Sequence, residues 1–358
     1  MNMESRIERL RTLLSERELD AVLVTKEVNL HYFSGFRGDS TVLIVTADHL
    51  TLVTDSRYTE QAAEEASAFE VVEQTGGLYQ KAAALLKGYR VKTVGFEGNV
   101  LTYSAYMQLK DLLAGIVFET ALNLDVLRQV KDADEIACIR RACEIADAVF
   151  AHIVTYIRPG MTERAVAAEM EDYMRRMGSE RPAFRTILAS GVRGSLPHGT
   201  ATDKEIALGE LVTMDFGAVY RGYHSDITRT ICIGHADERQ KECYDAVLTA
   251  QKTALIAIRP GVTGVAVDEA ARNILRKYNL NQYFGHGLGH SLGLEIHEEP
   301  RLSKFGKDRL RANMLITDEP GVYIPGWGGI RIEDTVLVTE TAGEPLTHAP
   351  KEFIEICI

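Results

Sequence analysis

A six-residue phrase occurs twice in this chain and constrains its fold more than any other feature. Residues 157–162 read Ile-Arg-Pro-Gly-Met-Thr, and residues 258–263 read Ile-Arg-Pro-Gly-Val-Thr. Each phrase follows a long helical pattern, Asp132–Ile157 in the first case. Each precedes another, Glu163–Met177 and Val265–Tyr278. Proline disfavours helix at the residue before it and glycine stops one, so the phrase punctuates a helix pair. Apolar strands then end in acids. Leu211–Met214 leads to Asp215, and Met314–Thr317 leads to Asp318 and Glu319. A second acid follows in each half, Asp226 before Ile-Thr and Glu333 before Asp-Thr. The offsets are 101 residues for Pro159 and Pro260, 104 for Asp215 and Glu319, and 107 for Asp226 and Glu333. A period near 100 is too long for a solenoid. The expectation is two copies of an α/β half about a pseudo-twofold axis.

The N-terminal third has a different texture. Ile7, Leu10, Leu13 and Leu14 give residues 4–19 a helical spacing, and Ala21–Thr25 reads as a strand. Thr41–Thr46 and Leu50–Thr54 form a plausible hairpin; Tyr58–Ser67 and Leu78–Lys87 read as helices and Val91–Phe96 as a strand. We therefore expect a small α/β domain over residues 1–125 and a larger domain over 131–358, with the boundary in 124–131. A net charge of −11 without a basic run argues against a nucleic-acid partner. No apolar run approaches a membrane span, and the charged, amphipathic N-terminus reads as no secretory signal. Five scattered cysteines without a CxxC pair suit a reduced, cytoplasmic protein.

The repeated acids suggest a site. Asp215 and Asp226 flank a hairpin-like stretch, and Glu319 and Glu333 flank another, so a pseudo-twofold brings four carboxylates together. Four such charges in an apolar core repel unless protons or cations hold them. Two divalent ions match the charge; acids of ordinary turns are the bland alternative. The run Gly285-His286-Gly287-Leu288-Gly289-His290-Ser291-Leu292-Gly293-Leu294-Glu295-Ile296-His297 adds three histidines. His286 and His290 have zincin spacing, but Gly287 stands where that motif needs Glu, and the glycines predict a strand or loop. Oxygen-rich coordination with one imidazole suits Mn, Co, Fe or Zn. His198, in Leu196-Pro197-His198-Gly199, is a weaker candidate. Arg331 alternates with Glu333 along a strand and is placed to orient a ligating carboxylate.

On these residues the chain resembles the pita-bread metallopeptidases, and among them the Xaa-Pro peptidases (prolidase and aminopeptidase P). The segments that carry the resemblance are MDFGAVYRGYHSDITRT (214–230), GHGLGHSLGLEIHEEP (285–300), EPGVYIPGWGGIRIED (319–334), LPHG (196–199) and RQVKDADEIACIRRACEIAD (128–147). HYFSGFRGDSTVL (31–43) and LVTDSRYTEQA (52–62) resemble the creatinase-like N-terminal domain. The implied fold is α+β: a pita-bread catalytic domain with an internal pseudo-twofold, after a smaller creatinase-like α/β domain. The resemblance implies two divalent ions, Mn favoured over Co or Zn, on Asp215, Asp226, His290, Glu319 and Glu333. It gives His198, His286 and His297 to the substrate, and Arg331 to support of a ligand. Asp318, where an apolar or small residue is usual, adds charge near the metals in this reading.

The implied reaction is hydrolysis of the Xaa-Pro bond by a metal-activated hydroxide, with Glu319 shuttling the proton and His198 and His297 stabilising the oxyanion or leaving group. The substrate is a proline-containing di- or oligopeptide, and the assembly a homodimer in which Tyr32–Asp39 is a candidate rim. Methionine aminopeptidase shares the ligand set but lacks this N-terminal domain. A non-catalytic pita-bread binding module typically loses ligands, and none is lost here. Between the two Xaa-Pro activities, Arg301 favours the dipeptidase, which must recognise a free proline carboxylate. A surface arginine beside a turn is the alternative for that residue.

Overall fold

A computed structural model of the chain describes residues 3–357 and divides between Arg128 and Gln129. The N-terminal unit runs α1 (Met3–Glu16), β1 (Ala21–Val24), α2 (Glu27–Ser34), β2 (Val42–Thr46), β3 (Leu50–Thr54), α3 (Thr59–Glu65), β4 (Glu70–Glu73), α4 (Leu78–Gly88), β5 (Thr93–Glu97), α5 (Tyr103–Leu112) and β6 (Val117–Leu122). Its six strands form one sheet in the order β4-β3-β2-β1-β5-β6. β2 and β3 make the expected antiparallel hairpin, and Thr46 Oγ1 closes its turn by accepting from the Asp48 and His49 amides. Leu23, Ile44, Val94 and Phe118 pack under α4 and α5. Sequence periodicity passed over α2, α5, β4 and β6. The reason is clearest at α2, a helix of two turns. The chain leading into it is held at Thr25 N and Lys26 N, its N-cap, by Glu97, some 70 residues away.

In the C-terminal unit the repeat sets where helices begin. Asp132 caps α6 (Ala133–Tyr156) in a capping box with Glu135. The threonine that ends each six-residue phrase is a helix N-cap: Thr162 Oγ1 accepts from Ala165 N at the start of α7 (Glu163–Arg176). The phrase glycines Gly160 and Gly261 both sit at left-handed φ, +86° and +84°, which favours glycine at each.

The strands that follow α7 are β7 (Ile187–Ser190), β8 (Leu211–Phe216), β9 (Val219–Tyr220), β10 (Tyr223–His224) and β11 (Ile227–Ile233). Then come α8 (Glu238–Ala257) and α9 (Gly264–Lys277), the latter capped by Thr263. The rest is β12 (Gly289–Ser291), β13 (Glu298–Leu302), β14 (Leu315–Asp318), β15 (Gly321–Ile324), β16 (Gly328–Arg331), β17 (Asp334–Val338), β18 (Gly343–Pro345) and β19 (Glu355–Ile356).

Two sheets result, β19-β11-β8-β7 and β13-β12-β14-β17-β18, with the ribbons β9-β10 and β15-β16 between their paired strands. Each sheet is covered by one helix pair. Val149, Ile153 and Met170 of α6 and α7 pack on Val212, Met214 and Ile227, while Val247, Ala254 and Val267 of α8 and α9 pack on Ile316 and Val336. The halves join where Glu333 N donates to Thr228 O at 3.1 Å and Thr230 Oγ1 donates to Arg331 O at 3.0 Å. That seam carries the acids.

Candidate metal centre

The ladder register brings the first pair of acids to the seam. In β8–β11, Asp215 pairs with Thr228 and Phe216 with Ile227, so Asp226 lies one residue before the paired stretch. In β14–β17, Asp318 pairs with Asp334, which places Glu319 and Glu333 just beyond the ladder on facing chains. Carboxylate oxygens of Asp215, Asp226 and Glu333 lie within 4.8 Å of one another. His290 and Glu319 adjoin this cluster. His290 Nε2 is 3.6 Å from Asp226 Oδ2 and 3.5 Å from Glu319 Oε1. These spans are long for hydrogen bonds, and groups so placed can ligate one cation in common.

The donor set fits divalent metal. Asp215 Oδ1, Asp226 Oδ1 and Glu333 Oε1 are buried without a hydrogen-bond partner, while their sister oxygens on Asp215 and Glu333 are engaged. Unpartnered buried carboxylate oxygens are costly unless a cation takes them. His290 Nδ1 faces Ser291 O at 3.1 Å. A carbonyl only accepts, so Nδ1 carries the proton and Nε2 presents a lone pair to the acids, the form a metal requires. Burial first, then the charge of His297, pushes His290 down to about 3. Burial, with the Glu333 and Asp215 charges next, pushes Asp226 well above the usual carboxylate range. Burial also raises Glu333, with Glu319 and Asp215 adding, and lifts Glu319 to about 8 against the opposing Arg331 charge. Divalent ions would reverse this acid-on-acid repulsion.

Arg331 is buried at the centre of the supports. Its Nη2 donates to Asp215 Oδ2, its Nε to Thr228 Oγ1 at 3.0 Å, and its Nη1 to the Tyr323 hydroxyl at 2.6 Å and Pro197 O at 3.3 Å. Thr228 Oγ1 in turn donates to Glu333 Oε2 at 2.6 Å. Thr317 Oγ1 donates to Glu319 Oε1 at 3.1 Å and accepts from His290 N at 3.0 Å. Sequence reading missed Thr228, Thr317 and Tyr323 as supports. Their only signal was a position two residues from an acid, or on the alternating face of the same strand.

The acids line a cavity of about 890 Å³, and His198, His286, His297, Arg301 and Arg331 line it too. His198 and His297 are exposed; His297 meets His290 edge-on with ring centres 4.5 Å apart. His286 is engaged on both nitrogens. Nδ1 faces Gly287 O at 2.7 Å and so donates, leaving Nε2 to accept from the Tyr323 hydroxyl at 2.8 Å. Burial, then the Arg331 charge, lowers it to about 4, and it stands as a neutral acceptor. Arg301 is exposed and pairs across the β12–β13 ladder with His290; its Nε lies 3.5 Å from Glu299. The charge expected from Asp318 is not directed at the acids. Strand alternation turns its side chain to the face opposite Glu319, where Oδ2 accepts from Gln251 of α8 at 3.1 Å. Burial, then Asp334, raises its carboxyl well above the usual range and favours the neutral acid there.

Comparison with known proteins shows the family of the chain. The model of metallopeptidase family M24 matches residues 137–340, and that of the creatinase/prolidase N-terminal domain matches residues 6–130. The Xaa-Pro dipeptidase of Pyrococcus furiosus is 43% identical over 98% of this chain and 100% of its own. A solved Xaa-Pro dipeptidase from Bacillus anthracis superposes with a TM-score of 0.96 at 41% identity, covering 99% of this chain and 100% of that one. A solved X-Pro aminopeptidase from Thermotoga maritima gives 0.91 at 38% identity, over 98% of this chain and 99% of its own.

Proposed function

The chain belongs to metallopeptidase family M24, with an N-terminal domain of the creatinase/prolidase type, and from that premise we propose that it is an Xaa-Pro dipeptidase. The observation that carries this choice is Arg301. It lines the same cavity as the acids, across the ladder from His290. A dipeptide ending in proline presents a free carboxylate, and a guanidinium in this position is the group to bind it. The imide nitrogen of proline carries no N–H, so recognition through an N–H at the scissile bond is absent and the carboxylate is the available handle.

Two divalent ions, manganese in our reading with cobalt or zinc as alternatives, would supply an activated water and Lewis acidity at the scissile carbonyl. Asp215, Asp226, His290, Glu319 and Glu333 would hold them. Glu319, whose Oε1 is steadied by Thr317, takes the proton from the attacking water and delivers it to the departing proline nitrogen. His198 and His297 donate to the developing oxyanion or the leaving group. Arg331 holds Asp215 in place. His286, an acceptor with both nitrogens engaged, shapes the cavity wall rather than donating to substrate. The resemblance also supports a homodimer, and the free, scattered cysteines support a reducing, cytoplasmic setting. Among the described residues no helix is long and apolar enough to cross a membrane.

The second reading is an Xaa-Pro aminopeptidase acting on longer peptides. A cavity of about 890 Å³ favours it, since that volume has room beyond a dipeptide, and so does the similarity to the Thermotoga enzyme. The deciding experiment strips the protein with EDTA, restores Mn, Co or Zn, and compares Xaa-Pro with Xaa-Pro-Yaa. Cleavage of the dipeptide alone supports the proposal. Cleavage of the longer peptide alone means the aminopeptidase. Failure on both with two metals bound removes the Xaa-Pro reading and favours methionine aminopeptidase or a binding module.

A further inference from the structure

Outside the acids, Glu163 is a carboxylate that receives hydrogen bonds from both ends of the segment that carries His198. Glu163, the first residue of α7, is buried to 0% side-chain exposure. Its Oε1 accepts from Ser190 N at 2.8 Å and Ser190 Oγ at 2.9 Å. Its Oε2 accepts from Thr202 N at 3.0 Å, Thr202 Oγ1 at 2.8 Å and the Arg193 guanidinium. Arg193 Nη2 then donates to Thr200 O at 2.9 Å. Residues 190–202 thus leave one carboxylate and return to it. Between these anchors lies His198, exposed and lining the cavity.

The rest of the segment is fixed to match. Gly194 lies so close to Gly329 that a Cβ there would be 2.9 Å from Gly329 N. Thr200 N donates to His198 O at 2.8 Å, and Pro197 O accepts from Arg331. Burial alone would raise the Glu163 carboxyl, but the bonds from Arg193, Ser190 and Thr202 hold it below the usual range, so it is charged at neutral pH. The first turn of a helix also favours a negative charge. The second half of the repeat has a parallel device. Asp268 of α9 accepts from Leu288 N at 3.0 Å and pairs with Arg272, which donates to Phe284 O and His286 O.

We propose that Glu163 is a positioning residue for His198: its carboxylate, with Arg193, clamps both ends of the segment that presents this histidine to the substrate. The inference rests on the Xaa-Pro reading for its kinetic test but not for its structural one. Misplacement of a reacting group by about 1 Å costs roughly a hundredfold in rate. Glu163→Gln and Arg193→Met are each expected to lower kcat/KM on an Xaa-Pro substrate by about tenfold to a hundredfold. Mn²⁺ binding by calorimetry stays at the wild-type value. In a His198→Ala background neither change lowers kcat/KM further, because the group they position is gone. A loss of equal size in that background overturns the proposal, as does wild-type kcat/KM in both single variants. If Glu163→Gln does not fold, the Arg193→Met cycle decides alone.

The test without substrate is limited trypsin cleavage after Arg193, compared at equal thermal stability. Faster cleavage in Glu163→Gln than in wild type supports the clamp; an unchanged rate overturns it. A wild-type protein that leaves every Xaa-Pro peptide intact would defeat the proposed function and leave this readout standing.

Discussion

Thr228→Val is the sharpest test of how the acids are held. One hydroxyl serves two site groups, donating to Glu333 Oε2 at 2.6 Å and accepting from Arg331 Nε at 3.0 Å. Valine keeps the shape and loses both functions. A hydrogen bond to a charged group contributes about 1.5–3 kcal/mol, and leaving the buried Arg331 N–H unpaired costs about 1–3 kcal/mol. The two terms share one atom and do not simply add, so the expected loss is about 3 kcal/mol. Part of it falls on metal binding. The Thr228 bond fixes Oε2 and so aims the partnerless Glu333 Oε1 at the other acids. Loss of such a support weakens metal affinity by about 10–100-fold. At 1.4 kcal/mol per decade that is about 1.4–2.8 kcal/mol, within the structural estimate. The assay is Mn²⁺ titration calorimetry on EDTA-stripped protein, with Thr228→Ser as the control that keeps the hydroxyl. Wild-type affinity in Thr228→Val would refute the reasoning. An equal loss in Thr228→Ser would refute it too, by showing that the methyl group matters rather than the bond.

Three further outcomes are expected. Arg301→Met should raise KM for an Xaa-Pro dipeptide about tenfold with kcat little changed, and leave Xaa-Pro-Yaa kinetics alone; equal effects on both peptides would remove its carboxylate role. Metal-free protein should lose stability as pH rises. Glu319, lifted to about 8, with Asp226 and Glu333 also raised, binds protons in the fold that the unfolded chain has released. Its contribution is full below the ordinary carboxyl range and lost as pH passes about 8. Thermal melts of EDTA-stripped protein from pH 5 to 9 should therefore fall, Mn²⁺ binding at pH 7 should release protons, and a flat profile with no release would contradict the arrangement. Arg272→Met leaves Asp268 buried without its guanidinium, and breaking such a pair costs about 3–5 kcal/mol. Scanning calorimetry should show a melting temperature about 10 °C lower, and an unshifted transition would show that the pair does not hold the fold.

Much of the candidate centre was legible because its carboxylates recur in both halves, at offsets of 104 and 107 residues. The twice-used phrase gave a left-handed glycine and a threonine cap in each half, and both are local: they depend on residues within one helical turn. The acids were legible as a set for the same reason, each closing or opening an apolar strand in its half. What sequence periodicity reports is which face a side chain takes, not what lies across from it. His286 shows the limit: the sequence placed it beside the other histidines, but its engagement by Tyr323 depends on a residue 37 positions on. Asp318 shows it again, since only the β14–β17 register and the position of α8 turn its carboxyl to Gln251.

The sequence by itself determined the two halves, the helix boundaries at their capped ends and the residue types able to hold divalent ions, because propensity, capping and strand alternation act over a few residues. Only the tertiary structure decided who supports whom. Asp215 meets Arg331 across 116 positions, Glu333 meets Thr228 across 105, and Glu163 closes on Thr202 from 39 positions away. Those contacts exist because two sheets, each burying its own helix pair, meet along one seam where every backbone and carboxylate oxygen must find a donor or a cation.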